Sequence, residues 1–145
     1  MELGAVMDDL LAMNTCIDVA AAVILNNGKL FSAKRSSGMH LEGYWEFPGG
    51  KLEDGESPEQ CLVRELEEEL CVKAEIGRYI GESVYDYGTK IVRLLAYQVR
   101  ILEGDIQLID HEEFRWLTVE ELDCIEWAPA DVPLLALCRE VMISK

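Results

Sequence analysis

The segment from Ser57 to Leu70 constrains the fold of this chain most, because it carries complete signals for one amphipathic helix. Ser57 suits the N-cap, Pro58 suits the first helical position, and Gln60 completes a capping box with Ser57. The spacing predicts a helix that runs to about Leu70. The stripe expected to pack against a core is apolar and consists of Leu62, Val63, Leu66 and Leu70.

Three glutamates share one side of this predicted helix. Glu65, Glu68 and Glu69 stand at positions i, i+3 and i+4, so their carboxylates form one cluster. Carboxylates this close repel one another unless a hard cation sits among them, and oxygen ligands suit Mg²⁺ or Mn²⁺. For an isolated helix, a run of this kind is more typical of a solvated face, with Arg64 and Glu68 as an ion pair.

The residues just before the helix favour a cation site over a solvated helix face. Glu56 directly precedes the helix and is close enough in sequence to reach the carboxylate cluster. Gly49 and Gly50 allow backbone groups to approach a ligand without hindrance from a side chain.

The rest of the chain predicts one α/β domain with a mixed sheet sandwiched between helices. Asn26-Asn27-Gly28 indicates a hairpin turn between two strands. A short helix is expected over Val119–Leu122 after a Thr118 cap, and a last helix from Ala130 to about Ile143, with Val132, Leu135, Ala136 and Val141 near one face. The expected strands are Ile17–Leu25, Lys29–Arg35, Trp45–Phe47, Glu75–Tyr85, Lys90–Leu102 and Phe114–Leu117. We assign residues 15–145 to this domain and residues 1–14 to an N-terminal extension without an assigned function.

Composition excludes several classes of protein. With 13 Lys and Arg against 28 Asp and Glu, the net charge of −15 disfavours binding to polymeric nucleic acid. The longest apolar run, Val19–Leu25, is far shorter than the roughly 20 residues that a membrane span requires. No Lys or Arg precedes Lys29, so a basic signal-peptide region is not expected. Five cysteines without a CxxC pair favour a reducing cytoplasm.

The joint spacing of the glycines and acidic residues resembles the Nudix box. The matching positions are Gly50, Glu56, Arg64, Glu65, Leu66, Glu68, Glu69 and Val72; the single departure is Cys71, where the box has Gly. The resemblance implies a Nudix fold, an α/β/α sandwich. It also implies that Glu65, Glu68 and Glu69 ligate the metal with a Gly49 or Gly50 carbonyl nearby, that Glu56 is an accessory acid, and that Arg64 orients the catalytic carboxylate. Cys71 stands where a helix end favours positive φ, so a cysteine there is expected either to cost about 1 kcal/mol or to shift the helix end.

Flanking residues are similar to the MutT subgroup of nucleoside triphosphate pyrophosphohydrolases. The similarity lies in Lys29–Arg35 and in Trp45-Glu46-Phe47-Pro48-Gly49-Gly50. It places Lys34 or Arg35 near the substrate phosphates. It also makes Asp110, next to His111, a further carboxylate of the metal cluster. By itself His111 would more often be a surface residue.

The segment Ala128–Leu135 bears on the nucleotide base. Asp131 resembles the base-reading position of the (deoxy)CTP pyrophosphohydrolase branch. An ionised Asp accepts hydrogen bonds only and would favour the amine of cytosine, although it can also accept from the N–H groups of guanine. The alternative is that Asp131 caps the last helix. Phe47, Tyr44 and Trp127 would either form an aromatic wall for the base or belong to the core.

The resemblance therefore implies an Mg²⁺-dependent enzyme, with Mn²⁺ possible, that converts a nucleoside triphosphate to the monophosphate and pyrophosphate. Cytidine or modified cytidine triphosphates are the expected substrates, and an 8-oxo-dGTP diphosphatase is the alternative. A non-catalytic nucleotide sensor of the same fold is the alternative from another class. No membrane partner is expected, and the chain is expected to be a monomer or a homodimer.

Overall fold

The computed structural model describes residues 15–144, so the predicted N-terminal extension lies outside the described residues. The chain opens with a hairpin of β1, Cys16–Asn26, and β2, Lys29–Arg35. Asn27 and Gly28 join the strands with φ values of 53° and 76°, the left-handed geometry of a two-residue hairpin turn. Asn26 pairs with Lys29, as the turn signal predicts.

Within residues 15–144 the strands form one seven-stranded mixed sheet. Its central strand β1 runs parallel to β6 and antiparallel to β2 and β4. The long strands β5 and β6 pair antiparallel, while β7 pairs with β2. The remaining strands are β3, Trp45–Glu46; β4, Gly49–Lys51; β5, Lys73–Asp86; β6, Ile91–Glu103; and β7, His111–Leu117.

Helix α1, Pro58–Leu70, has the predicted bounds and the predicted cap. The Ser57 hydroxyl accepts from the Gln60 N–H at 3.1 Å, and the Gln60 side chain accepts from the Ser57 N–H at 2.9 Å. One member of the predicted stripe is wrong: Val63 is 44% exposed, and Cys61 is buried in its place. Cys71 ends the helix with φ 61°, so the helix end is not shifted by the absence of glycine.

The last helix begins later than predicted. A 3₁₀ turn over Val132–Leu134 comes first, and α2 spans Leu135–Ile143. A 3₁₀ turn has three residues per turn where an α-helix has 3.6, so the buried face differs from the one predicted for a continuous helix. The exposed Val132 and Ala136 are therefore corrections, and the buried residues are Leu134, Leu135, Cys138 and Met142. The expected short helix is a 3₁₀ helix over Val119–Cys124.

Apolar layers cover both faces of the sheet, which confirms the predicted α/β/α sandwich. One layer packs α1 against the sheet through Phe31, Leu62, Leu66 and Leu70. The other packs α2 and the 3₁₀ segments through Trp127, Leu134, Leu135, Cys138 and Met142. In residues 15–144, no helix has the length and apolar character needed to cross a membrane. The five cysteines are free thiols.

Candidate active site

A cleft of about 410 Å³ lies at the junction of β1, β4 and α1. It brings together eight of the residues that the sequence singles out, from segments far apart in the chain. These are Arg35, Phe47, Gly49, Gly50, Glu65, Glu69, Asp110 and Asp131. Six others lie outside the cleft lining: Lys34, Tyr44, Glu56, Arg64, Glu68 and Trp127.

The two glycines are required by close approaches at the floor of the cleft. Gly49 has φ 149°, and a Cβ there would overlap the carbonyl oxygen of Ala20 on the paired strand β1. A Cβ on Gly50 would overlap the carboxylate of Glu65. The Gly49-Gly50 backbone therefore lies directly against Glu65, the first glutamate of the predicted cluster.

Arg64 organises the carboxylates along the outer side of α1. Its guanidinium donates to both carboxylate oxygens of Glu56, from Nε at 2.8 Å and from NH2 at 2.9 Å. NH1 also donates to Glu65 at 2.9 Å and to Glu68 at 3.3 Å. These bonds hold the pKa of Glu56 down to about 2, with the Arg64 side chain as the main cause. Arg64 therefore holds the Glu65 carboxylate in one orientation.

Glu69 is the buried carboxylate of the cluster. Its Oε1 has no hydrogen-bond partner among the described residues. Burial, together with the neighbouring charges of Glu65 and Glu46, raises the pKa of Glu69 to about 8, against a hydrogen bond from the Gly49 backbone. A buried carboxylate oxygen without a partner, next to a second carboxylate, is suited to a cation.

Asp131 is 5% exposed and faces the cleft from the turn before α2. Its Oδ2 accepts from the Phe47 N–H at 2.9 Å, and its side chain makes no capping bond to the turn that follows, so the helix-cap alternative is wrong. Burial, reinforced by the charge of Glu46, holds the pKa of Asp131 well above its usual range. Both effects favour the neutral carboxyl over the ionised, acceptor-only side chain that the sequence argument assumed.

Of the three candidate aromatic residues, only Phe47 reaches the cleft. Trp127 packs behind it, with ring centroids 5.0 Å apart, and its indole N–H donates to the Leu122 carbonyl at 2.8 Å. Trp127 is therefore a core residue, the second of the two predicted possibilities. Tyr44 lies outside the lining, and its carbonyl accepts from the Arg35 N–H at 2.9 Å.

The two candidate phosphate-binding cations have different positions. Lys34 lies outside the cleft lining, with its Nζ 3.5 Å from the Glu112 carboxylate. Arg35 lines the cleft, but its NH1 donates to both carboxylate oxygens of Glu46, at 3.0 and 3.1 Å, and its Nε donates to the His40 carbonyl at 2.6 Å. Arg35 therefore faces the cleft as part of an ion pair.

Comparison with known proteins gives the family. The NUDIX domain matches residues 17–138. The chain belongs to the Nudix family. It is 40% identical over 119 residues to the CTP pyrophosphohydrolase of Escherichia coli, covering 82% of this chain and 88% of that protein. It is 30% identical over 126 residues to the 8-oxo-dGTP diphosphatase of the same species, covering 86% and 98%. The solution structure of the E. coli ORF135 protein matches with a TM-score of 0.81 and 36% identity, covering 93% of this chain and 96% of that one.

The chain is a Nudix hydrolase, and Nudix hydrolases generally use divalent metal ions. The donor set fits such an ion, since Glu65, Glu69, Asp110 and the glycine carbonyls all offer oxygen. Within residues 15–144, however, no three acidic, histidine or cysteine side chains form a ready-made metal site. One reason is that the Glu68 side chain is 61% exposed and bonds to Arg64. In this Nudix cleft, backbone and substrate oxygens would have to complete the ligand set.

Sequence reasoning assigned no role in the Nudix cleft to Lys90, Glu46 or His111, all of which line it. Lys90 follows the turn between β5 and β6 and lines the cleft, and its ammonium has no ion pair or hydrogen bond among residues 15–144. Glu46 accepts from Arg35 and contacts His111 Nε2 at 2.8 Å. The His111 side chain is 4% exposed, which overturns the expectation of a surface residue. The only sequence signal for Lys90 was its position two residues after Gly88, in the turn between β5 and β6.

Proposed function

We propose that this protein is an Mg²⁺-dependent nucleoside triphosphate pyrophosphohydrolase that prefers cytidine or modified deoxycytidine triphosphates, with Mn²⁺ as the alternative cation. The observation that carries the proposal is a single cleft that joins the carboxylates of Glu65 and Glu69 to a buried Asp131. The end of the cleft with Glu65 and Glu69 suits a metal-bound triphosphate, and the end with Asp131 offers a polar group to a base. The 40% identity to a CTP pyrophosphohydrolase supports the same substrate class.

A polyanionic substrate must overcome the net charge of −15. When bound, a divalent cation neutralises phosphate charge and lowers the pKa of an attacking water. Lys90 contributes to the cleft an ammonium that has no ion pair among residues 15–144, and we assign to it the phosphate contact that the sequence argument gave to Lys34 or Arg35, alongside Arg35. The Nη1 group of Arg35 donates to Glu46, and its Nη2 group would donate to a phosphate oxygen.

In the proposed reaction, the water oxygen forms a bond to the β-phosphorus. The bond from the β-phosphorus to the oxygen bridging the α-phosphate breaks, which releases the nucleoside monophosphate and pyrophosphate. A carboxylate takes the proton of the water, and Glu69 and Asp110 line the cleft for this role, whereas Glu68 lies outside it. Arg64 acts through Glu65, and Glu56 acts through Arg64.

The protonated Asp131 supplies one donor and one acceptor to a base. For cytosine, its O–H would donate to the ring N3 and its carbonyl oxygen would accept from the exocyclic amine. Phe47 lines the cleft beside Asp131 and would offer an apolar contact for the base.

The second candidate is an 8-oxo-dGTP diphosphatase. The protonated Asp131 also matches the edge of an oxidised guanine, because its O–H would donate to O6 and its carbonyl oxygen would accept from the N7–H. Unmodified guanine has an acceptor at N7 and lacks this second bond. The 30% identity to an 8-oxo-dGTP diphosphatase agrees with this candidate.

The test is hydrolysis of CTP, dCTP, 5-methyl-dCTP, 8-oxo-dGTP, dGTP and UTP with Mg²⁺, resolved as monophosphate plus pyrophosphate. Glu65→Gln should abolish turnover, whereas Glu67→Gln, an exposed glutamate of the same helix outside the cleft lining, should not. A preference for 8-oxo-dGTP would replace the cytidine assignment with the second candidate. Nucleotide binding without turnover of any triphosphate would identify a sensor and overturn the proposal.

We place the enzyme in the cytoplasm, as a monomer or homodimer that acts on free nucleotides, without a polymeric nucleic acid or membrane partner. The net charge of −15 and the five free thiols support this placement. Light scattering of the purified protein would distinguish the two assembly states.

A further inference from the structure

Three segments that are distant in sequence border the base side of the cleft. The loop after β2 contributes Met39, the turn between β5 and β6 contributes Lys90, and the turn before α2 contributes Asp131. Tyr87 does not itself line the cleft, yet it belongs to one of these segments and contacts the other two.

The Tyr87 side chain bridges the segments through two different contacts. Its hydroxyl oxygen accepts from the Ala130 N–H at 3.0 Å, in the turn that carries Asp131. Its ring meets the His40 ring edge to face, with centroids 5.4 Å apart and planes at 83°. The same His40 provides the carbonyl that accepts from Arg35. The ring therefore contacts the loop after β2, and the hydroxyl bonds to the turn that carries Asp131.

Tyr87 is itself held in place by its own turn. Its N–H donates to the Lys90 carbonyl at 2.8 Å, and the Asp86 carboxylate accepts from the Gly88 N–H at 2.7 Å. The Tyr85 ring packs against it with centroids 4.7 Å apart. The phenol is thus presented from a closed turn that also fixes the backbone of the cleft lysine.

The bond to Ala130 bears directly on Asp131, the next residue. The turn closes through the Asp131 N–H, which donates to the Ala128 carbonyl at 2.9 Å, and the Asp131 side chain then meets the Phe47 N–H. Ala130 is buried, so its N–H would lack a partner if the Tyr87 hydroxyl were removed. An unsatisfied buried N–H favours rearrangement of the turn and displacement of Asp131.

We propose that Tyr87 is a positioning residue for nucleotide recognition: its hydroxyl fixes the Asp131 turn while its ring holds the loop after β2, so that the three segments bind the base as one unit. The inference rests on the proposed function, because it assigns Tyr87 a role in the recognition of that substrate. Tyr87 acts through Asp131 and contacts no reacting atom.

The test compares Tyr87→Phe with the matched control Tyr85→Phe. The first variant keeps the ring and removes the hydroxyl that binds Ala130, and the second removes the hydroxyl of the adjacent tyrosine. Calorimetry with CMP and with 8-oxo-dGMP in EDTA reports binding without catalysis. Steady-state kinetics with the matching triphosphates separates the effect on KM from the effect on kcat. Thermal melting shows whether each variant is folded.

We expect Tyr87→Phe to weaken binding of the preferred monophosphate and to raise KM by about fivefold, the equivalent of one hydrogen bond, with kcat within about twofold. Tyr85→Phe should match the wild type. In an Asp131→Ala background, Tyr87→Phe should weaken binding no further, because its effect passes through Asp131.

Wild-type values of Kd and KM for a folded Tyr87→Phe protein would overturn the inference. An equal loss of affinity in the Asp131→Ala background would also overturn it, since Tyr87 would then act independently of Asp131. If the wild-type protein neither binds these monophosphates nor hydrolyses any triphosphate, the proposed function itself fails, and the wild-type measurement shows this before any variant is compared.

Discussion

Gly50→Ala tests how closely the cleft backbone packs against the metal-binding helix. A Cβ on Gly50 lies 2.8 Å from Glu65 Cγ and closer still to its carboxylate atoms, whereas ordinary contacts begin at 3.4 Å. The carboxylate must therefore move by about 1 Å, a misplacement that can reduce catalysis by about 100-fold. Gly50 does not have a positive φ, so alanine introduces no backbone strain there. We expect kcat to fall by about 100-fold while the melting temperature changes little.

The assay is pyrophosphate release with saturating Mg²⁺, combined with thermal melting. A double variant, Gly50→Ala with Glu65→Ala, provides the control. Alanine at position 65 removes Cγ and the carboxylate that the new Cβ would overlap, so the double variant should be no slower than Glu65→Ala alone. Wild-type kcat for Gly50→Ala would refute the reasoning, because it would mean either that Glu65 does not lie against this backbone or that its position does not matter.

Three further outcomes are expected. Cys71→Gly should raise stability by about 1 kcal/mol, measured by urea unfolding, since φ is 61° at this helix end and glycine adopts it without strain. The raised pKa of Asp131 means that the folded state binds the proton more tightly, so stability should fall as pH rises above the usual Asp range towards the folded pKa. Unfolding at pH 5 and pH 9 should show a smaller loss in Asp131→Asn than in the wild type, because the variant keeps only the loss that comes from Glu69, whose pKa is raised to about 8. Glu46, Arg35, Tyr87 and Cys138 also face the Asp131 carboxyl electrostatically. Arg64→Lys keeps the charge but loses the two-pronged bond to Glu56, so kcat should fall by about 10- to 100-fold with little change in the melting temperature.

Elements with signals close together in sequence were predictable. The bounds of α1 follow from Ser57, Pro58 and Gln60, because a capping box acts within one helical turn. The Asn27-Gly28 hairpin follows from two residues that tolerate positive φ. The Nudix spacing likewise predicted which glycines and glutamates meet, because α1 and the strand before it are joined by a short loop.

Predictions failed where the outcome depends on neighbours far along the chain. Val63 is apolar and lies next to the core stripe, but the sheet covers only the face with Cys61 and Leu62. The last helix begins after a 3₁₀ turn, and the Asp131 side chain accepts from the Phe47 N–H, 84 positions away, and makes no bond that caps this turn. Lys34 and Lys90 are alike as residues, and only the arrangement of the strands decides which of them faces the cleft.

The sequence by itself determined the family and the capped helix with its run of glutamates, because those depend on spacing within one continuous segment. Only the tertiary structure decided that burial raises the pKa of Asp131, that Glu46 joins Arg35 to His111, and that Tyr87 reaches Ala130. Protonation and pairing depend on how much water and which charges surround a group, and those surroundings exist only once distant strands and turns have packed together.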